Sequence, residues 1–161
     1  MRILLSTQLE CKPELIWEVV QSPQTLEYVA APIIMFEPLR PSKFPSIWST
    51  GNYLVRLKFL GLIPLGFQWI QLSFPNRKTS DTTHLYKLRD KGFGKLAKRW
   101  DHLITIKLTG DGKTQYTDQV DIEAGRWTLF LWIFSQVLFR HRQRRWRALV
   151  KQQFEFGNNT K

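Results

Sequence analysis

Two ionisable side chains stand out because their neighbours are apolar. Trp100, His102, Ile104, Ile106 and Leu108 fall at period two, the spacing of one face of a β-strand, and Tyr116, Asp118, Val120 and Ile122 repeat the pattern. Between them Gly110-Asp111-Gly112 reads as a three-residue hairpin loop. That loop sets Ile106 opposite Tyr116, Ile104 opposite Asp118 and His102 opposite Val120. His102 and Asp118 then become diagonal neighbours on one inward face. A two-residue loop would turn the two apolar faces to opposite sides. Ionisable groups in such a place need partners, because an unpaired buried charge is expensive. The pair supports three readings. It is an acid/base couple in which Asp118 raises the His102 pKa and fixes its tautomer, a polar anchor for a bound molecule, or a satisfied core pair that ties two strands together.

Other candidates carry less. His84, Tyr86, Leu88 and Asp90 alternate with Leu85, Lys87 and Arg89, so the first set looks inward if the charged set is outside. There is no Gly-x-Ser-x-Gly elbow, and the lone Cys11 has no His nearby in sequence. A single cysteine also excludes an intramolecular disulfide. Gly92-Phe93-Gly94-Lys95 lacks the strand-to-helix setting of a phosphate loop. A metal site would need His84, His102 and a carboxylate at no recognised spacing, so neither a metal nor a cofactor is expected.

Charge narrows the partners. The 161 residues hold 24 Lys+Arg against 13 Asp+Glu, a formal net of +11. From residue 126 onward there are eight basic side chains and only Glu155 as an acid. Arg140-His-Arg-Gln-Arg-Arg-Trp-Arg147 holds five arginines in eight residues, and Arg140, Arg144, Arg147 and Lys151 share one face of a helix there. The bland reading is a solvated face that complements the helix C-terminus. The sharper one is contact with an anionic membrane surface, with Trp132, Phe139 and Trp146 as interfacial anchors. Nucleic acid is disfavoured: no reading module is present, and the start of the same helix is too apolar to lie on a duplex.

The elements that must position these residues follow from periodicity and turn chemistry. A strand at 2–9 precedes two short helices, Pro13–Val20 and Pro23–Val29, each opened by a proline where a missing N–H is harmless. Period-two segments then run to Glu123, with turns at Gly61–Gly66, Pro75–Thr79 and Gly110–Gly112. Gly125 ends the last strand, and Arg126 to about Phe154 reads as one long helix, apolar almost all round in its first half and so expected to be buried on more than one side. Its stripe of Trp127, Leu131, Phe134, Leu138, His141, Arg145 and Leu149 is expected to face the sheet. The result is one α+β domain over 1–161, a curved antiparallel sheet of six to seven strands wrapped around the C-terminal helix. The longest apolar stretch, Trp127–Phe139, is 13 residues, short of the roughly 20 of a membrane span. The N-terminal residues lack a signal-peptide core, so the expectation is a cytoplasmic protein with peripheral membrane contact left open.

This order, with Pro13-Glu-Leu-Ile-Trp-Glu-Val-Val20, Thr25-Leu-Glu-Tyr-Val-Ala30, Trp100-Asp-His102, the Thr114–Gly125 strand and His141-Arg-x-Arg-Arg-Trp146, resembles the START/birch-pollen-allergen-like helix-grip superfamily (SRPBCC), closest to its polyketide-cyclase/dehydrase-like branch. The resemblance implies a deep apolar cavity between sheet and helix that holds a lipid, quinone or polyketide-like molecule. On that reading Tyr53, Val55, Leu57, Ile70, Tyr86, His102, Asp118, Leu131, Phe134 and Leu138 line it, with Pro38–Gly51 and Asp90–Arg99 at its mouth. Two alternatives stand beside the carrier. One is a cyclase or dehydratase using His102 and Asp118. The other is a peripheral membrane or interaction module whose cavity is filled by the seven Trp, four Tyr and eleven Phe of the chain. Fold alone does not choose among them.

Overall fold

The computed structural model describes residues 1–75 and 84–156. The turn expected at Pro75–Thr79 lies outside them from residue 76 onward. Strand β1 (Arg2–Leu9) leads into helices α1 (Pro13–Val20) and α2 (Pro23–Ala30). Six strands follow: β2 (Ile34–Arg40), β3 (Gly51–Phe59), β4 (Ile63–Ser73), β5 (Leu85–Gly94), β6 (Arg99–Leu108) and β7 (Thr114–Glu123). A 3-10 turn at Gly125–Trp127 then opens helix α3 (Thr128–Lys151). The strands form one antiparallel sheet in the order β1-β7-β6-β5-β4-β3-β2. This is the helix-grip architecture.

Both prolines do what their position allows. Pro13 and Pro23 occupy the first turn of α1 and α2, and Ser22 stands at the N-cap of α2 without its hydroxyl capping it. Instead the Ser22 carbonyl accepts the Thr25 N–H, and the Thr25 hydroxyl donates to Val19 O at 2.6 Å, tying α2 to the end of α1.

The β6–β7 hairpin has the register that a three-residue loop dictates: Ile106 opposite Tyr116, Ile104 opposite Asp118, His102 opposite Val120. β5 extends beyond the expected Asp90 to Gly94, which leaves only residues 95–98 between β5 and β6. Gly92 makes that extension possible, since a Cβ there would lie 2.7 Å from Trp69 O and 3.0 Å from Gln68 Nε2.

Helix α3 departs from the expectation in two ways. Its buried face is Ser135, Leu138, Phe139, Arg142, Gln143, Trp146 and Leu149, not a stripe through His141 and Arg145. Those two reach α2 instead: His141 Nε2 contacts Ala31 O at 2.7 Å, and the Arg145 guanidinium lies 3.8 Å from the centre of the Tyr28 ring. Its first half is not enclosed either. Trp127, Leu129, Phe130, Ile133 and Val137 are exposed, because the contacts of α2 with α3 fall on the second half. No helix among the described residues is long and apolar enough to cross a membrane.

Candidate binding cavity and its buried polar end

Between the concave face of the sheet and α3 lies a cavity of about 950 Å3. Leu57, Ile70, His102, Leu131, Phe134 and Leu138 line it, as the inward parity of their strands and helix face requires. Four other expected lining residues do not. Val55 is wholly enclosed in the core beneath α1 and α2, and Tyr53 sits under Trp48 with its hydroxyl 3.0 Å from Ser49 Oγ. Tyr86 is covered by α1: its ring stacks on Trp17 and its hydroxyl donates to Glu14. Asp118 is buried one layer behind His102. His84 is exposed and pairs with Glu14 at 2.5 Å, away from the cavity.

The mouth also differs from the expectation. Segment 38–51 lines the cavity from within and does not frame its mouth: its Trp48 is a buried lining residue with its N–H bonded to Gln21 O beside α1. The mouth is the β3–β4 turn, residues 95–97 and the start of α3, where Ile63, Phe67, Trp127 and Phe130 are both exposed and cavity-lining.

The closed end is polar in a specific way. The His102 Nε2 lies 2.8 Å from Asp118 Oδ1, which also accepts the Tyr116 hydroxyl at 3.2 Å, while Oδ2 accepts Gln143 Nε2 at 3.4 Å. A neutral imidazole held this way donates from Nε2 and keeps Nδ1 as an acceptor. Burial pushes the His102 pKa below its ordinary value, and the bond and charge of Asp118 only partly restore it. The edge of the His102 ring meets Phe139 at 4.9 Å between centres.

Asp90 sits beside this network and faces the cavity. Burial pushes its carboxyl up to about 8, against the Gln71 N–H that it accepts at 2.8 Å and the nearby positive charge of Arg142. At neutral pH Asp90 is therefore mainly a neutral acid with a proton to donate. Burial pushes the Cys11 thiol up to about 11, which disfavours its thiolate form at neutral pH. Among the described residues no three or more His, Cys, Asp or Glu gather as metal ligands.

Arg142 and Trp146 were not expected here. Arg142 is only 7% exposed, lines the cavity, lies over the Phe139 ring and has no acceptor for its Nε. A second helical stripe, 135-139-142-146-149, is compatible with the sequence beside the stripe through His141 and Arg145, and it carries Arg142 and Trp146. Phe139 and Trp146 are core residues, not membrane anchors, and the Trp132 indole N–H donates to Arg2 O at 2.9 Å. Arg140, Arg144, Arg147 and Lys151 do lie on the exposed face, with Arg147 donating to Thr7 Oγ1 at 2.8 Å and Arg140 to Gln136 O at 3.0 Å.

No protein-family model matches the chain, and no curated protein matches its sequence. Solved structures do match in shape. A START superfamily protein from Mycobacterium smegmatis superposes with a TM-score of 0.66 at 11% identity, covering 94% of this chain and 98% of that one. The Zhui aromatase/cyclase from Streptomyces sp. R1128 gives 0.65 at 10% identity, with 98% of each chain covered. A Chromobacterium violaceum protein gives 0.62 at 13% identity over 92% of this chain and 96% of that one. The sheet wrapped on α3, the two short helices after β1 and these superpositions together identify the fold as a START-like helix-grip fold.

Proposed function

We propose that the chain binds and carries a hydrophobic small molecule, a lipid, quinone or polyketide-like compound, between the sheet and α3. The supporting observation is the cavity of about 950 Å3, at the upper end of the range for drug-sized ligands, with mostly apolar walls and an open mouth. The chain's aromatics had the volume to fill that space. Ten of the 22 instead line it or stand at its rim. Native mass spectrometry of protein purified from cells, with titration of a solvatochromic naphthalene dye, tests this. A co-purifying lipophile and saturable dye binding that Leu57→Trp suppresses are expected. No lipophile and an unshifted dye would overturn the reading.

The mouth suggests where the ligand is exchanged. Leu60, Leu62, Ile63 and Phe67 on the β3–β4 side, Trp127 in the 3-10 turn and Leu129, Phe130 and Ile133 on α3 are all exposed, Leu62 by 83% and Phe130 by 69%. Residues 59–67, 93–99 and 126–140 contain no acid but include Lys95, Lys98, Arg99, Arg126 and Arg140. An apolar patch ringed by cations matches a bilayer containing anionic phospholipid, into which the apolar side chains insert while the cations meet headgroups. Vesicles of phosphatidylcholine with and without phosphatidylglycerol test it. Binding to the anionic vesicles is expected to weaken at least about tenfold in the Trp127→Ser, Phe130→Ser double variant. Equal binding by variant and wild type would refute the docking surface.

A catalytic reading, cyclase or dehydratase, draws on the His102–Asp118 contact, which leaves His102 Nδ1 as a base for a proton of a bound polyketide-type substrate. Turnover of such a substrate would have to fall in both His102→Ala and Asp118→Asn. Unchanged turnover would remove it.

A further inference from the structure

The closed end of the cavity holds more hydrogen-bond donors than acceptors. Arg142 and Trp146 lie one helical turn apart on the same face of α3, are 7% and 1% exposed, and both line the cavity. Neither the Arg142 Nε nor the Trp146 Nε1 has a hydrogen-bond partner. Both side chains approach the Tyr116 hydroxyl, which donates to Asp118, but no hydrogen bond closes between either nitrogen and it. Asp118 does not supply the acceptor either: the hydrogen bonds its oxygens accept come from His102, Tyr116 and Gln143. No ion pair to Arg142 forms among the described residues, and Asp90, the carboxyl facing it across the cavity, is largely protonated at neutral pH. Buried donors without acceptors are rare and costly in folded proteins, and a buried cation without a counter-ion more so.

The opposite end is open and mostly apolar, with Arg56 and Lys95 among its lining residues. From Phe130 at the mouth to Arg142 the helix rises about 18 Å, so the cavity is long, apolar for most of its length and cationic at its closed end. We propose that it takes an amphipathic molecule with an oxyanion head, a carboxylate in the simplest case, seated against Arg142, Trp146 and Asp90 with its apolar tail toward the mouth. Arg142 supplies the charge, the Trp146 indole N–H and the Asp90 carboxyl donate hydrogen bonds, and His102 borders the same space. This rests on the carrier reading above and narrows its ligand to acids.

The test compares dodecanoic acid with dodecanol by isothermal titration calorimetry at pH 7. Wild type should bind the acid at least about tenfold more tightly than the alcohol, the scale of one charge-assisted hydrogen bond. Arg142→Gln should remove that preference, weakening dodecanoic acid by a larger factor than dodecanol. Trp146→Phe, which keeps an aromatic ring and deletes the N–H, should reduce it by a smaller factor. Equal wild-type affinities for acid and alcohol would overturn the head-group assignment and leave the carrier reading standing. Failure of both to bind would overturn both. Should Arg142→Gln not fold, the wild-type comparison and Trp146→Phe decide the matter.

Discussion

Helix α3 is one continuous helix with two halves of opposite character. The first, from Thr128 to about Val137, is apolar on nearly every side and yet leaves Leu129, Phe130, Ile133 and Val137 in the open. The second is crowded with arginines and yet buries Phe139, Arg142, Trp146 and Leu149. The difference lies in what surrounds each half. β1, β7 and α2 close around the second, so even Arg142 is enclosed there and its charge becomes a feature of the cavity. The first is covered on one side only, where Leu131 and Trp132 pack against Ile3 and Ile122 and Ser135 is buried, so the apolar residues of its other side become a surface. Hydrophobicity says what a residue would gain from burial; only the neighbouring elements decide whether burial happens.

The contrast breaks most directly through stability. Trp146→Ala should destabilise the protein by about 3–5 kcal/mol, the range for deleting a buried aromatic. Phe130→Ala, an equally apolar loss in the exposed half, should stay within about 0.5 kcal/mol. Thermal and urea unfolding of the two variants side by side checks this, and comparable losses would mean that the first half is covered in solution.

The next effect lies in pH. Asp90 has a folded pKa of about 8 against an ordinary value of 3.8, so the fold favours its protonated form. Stability from this group is full below about pH 4 and is lost as pH rises toward 8. His102 works the other way: its folded pKa lies below 6.5, so its contribution is present above that pH and lost as pH falls through the folded value. The groups around Asp90 are Arg142, Asp101 and the Gln71 N–H. Asp90→Asn keeps an oxygen for that N–H and cannot ionise. It should therefore flatten the decline in melting temperature between pH 5 and 8, and an unchanged slope would place the titration elsewhere.

The smallest effect belongs to the exposed cations. Arg140→Gln with Arg144→Gln should change stability by less than about 0.5 kcal/mol. It should weaken binding to phosphatidylglycerol vesicles less than the Trp127→Ser, Phe130→Ser pair does. A larger loss from the arginine pair would move the membrane-facing surface to the second half of α3.

Much of this arrangement is readable from the chain in order. The hairpin loop Gly110–Gly112 fixes the β6–β7 register, and with it the meeting of His102 and Asp118, because strand parity and loop length leave no other apolar face. Prolines 13 and 23 set the starts of α1 and α2. Tyr53, Val55 and Tyr86 show where parity stops being informative: they point to the concave side, but Trp48 packs on Tyr53, Trp17 of α1 stacks on Tyr86, and Val55 is enclosed in the core. Two stripes on α3 are equally apolar within an arginine-rich sequence, and one places His141 and Arg145 inward while the other places Arg142 and Trp146 there.

The sequence by itself determined the strands, their parity, the paired His102 and Asp118, and the concentration of charge on the last helix, because each depends on local geometry and spacing. The tertiary structure alone decided the rotation of α3 about its axis, which elements cover which half, and hence that Arg142 and Asp90 share a cavity while Phe130 meets solvent. Those depend on contacts between segments far apart in the chain, and periodicity within one segment carries no record of them.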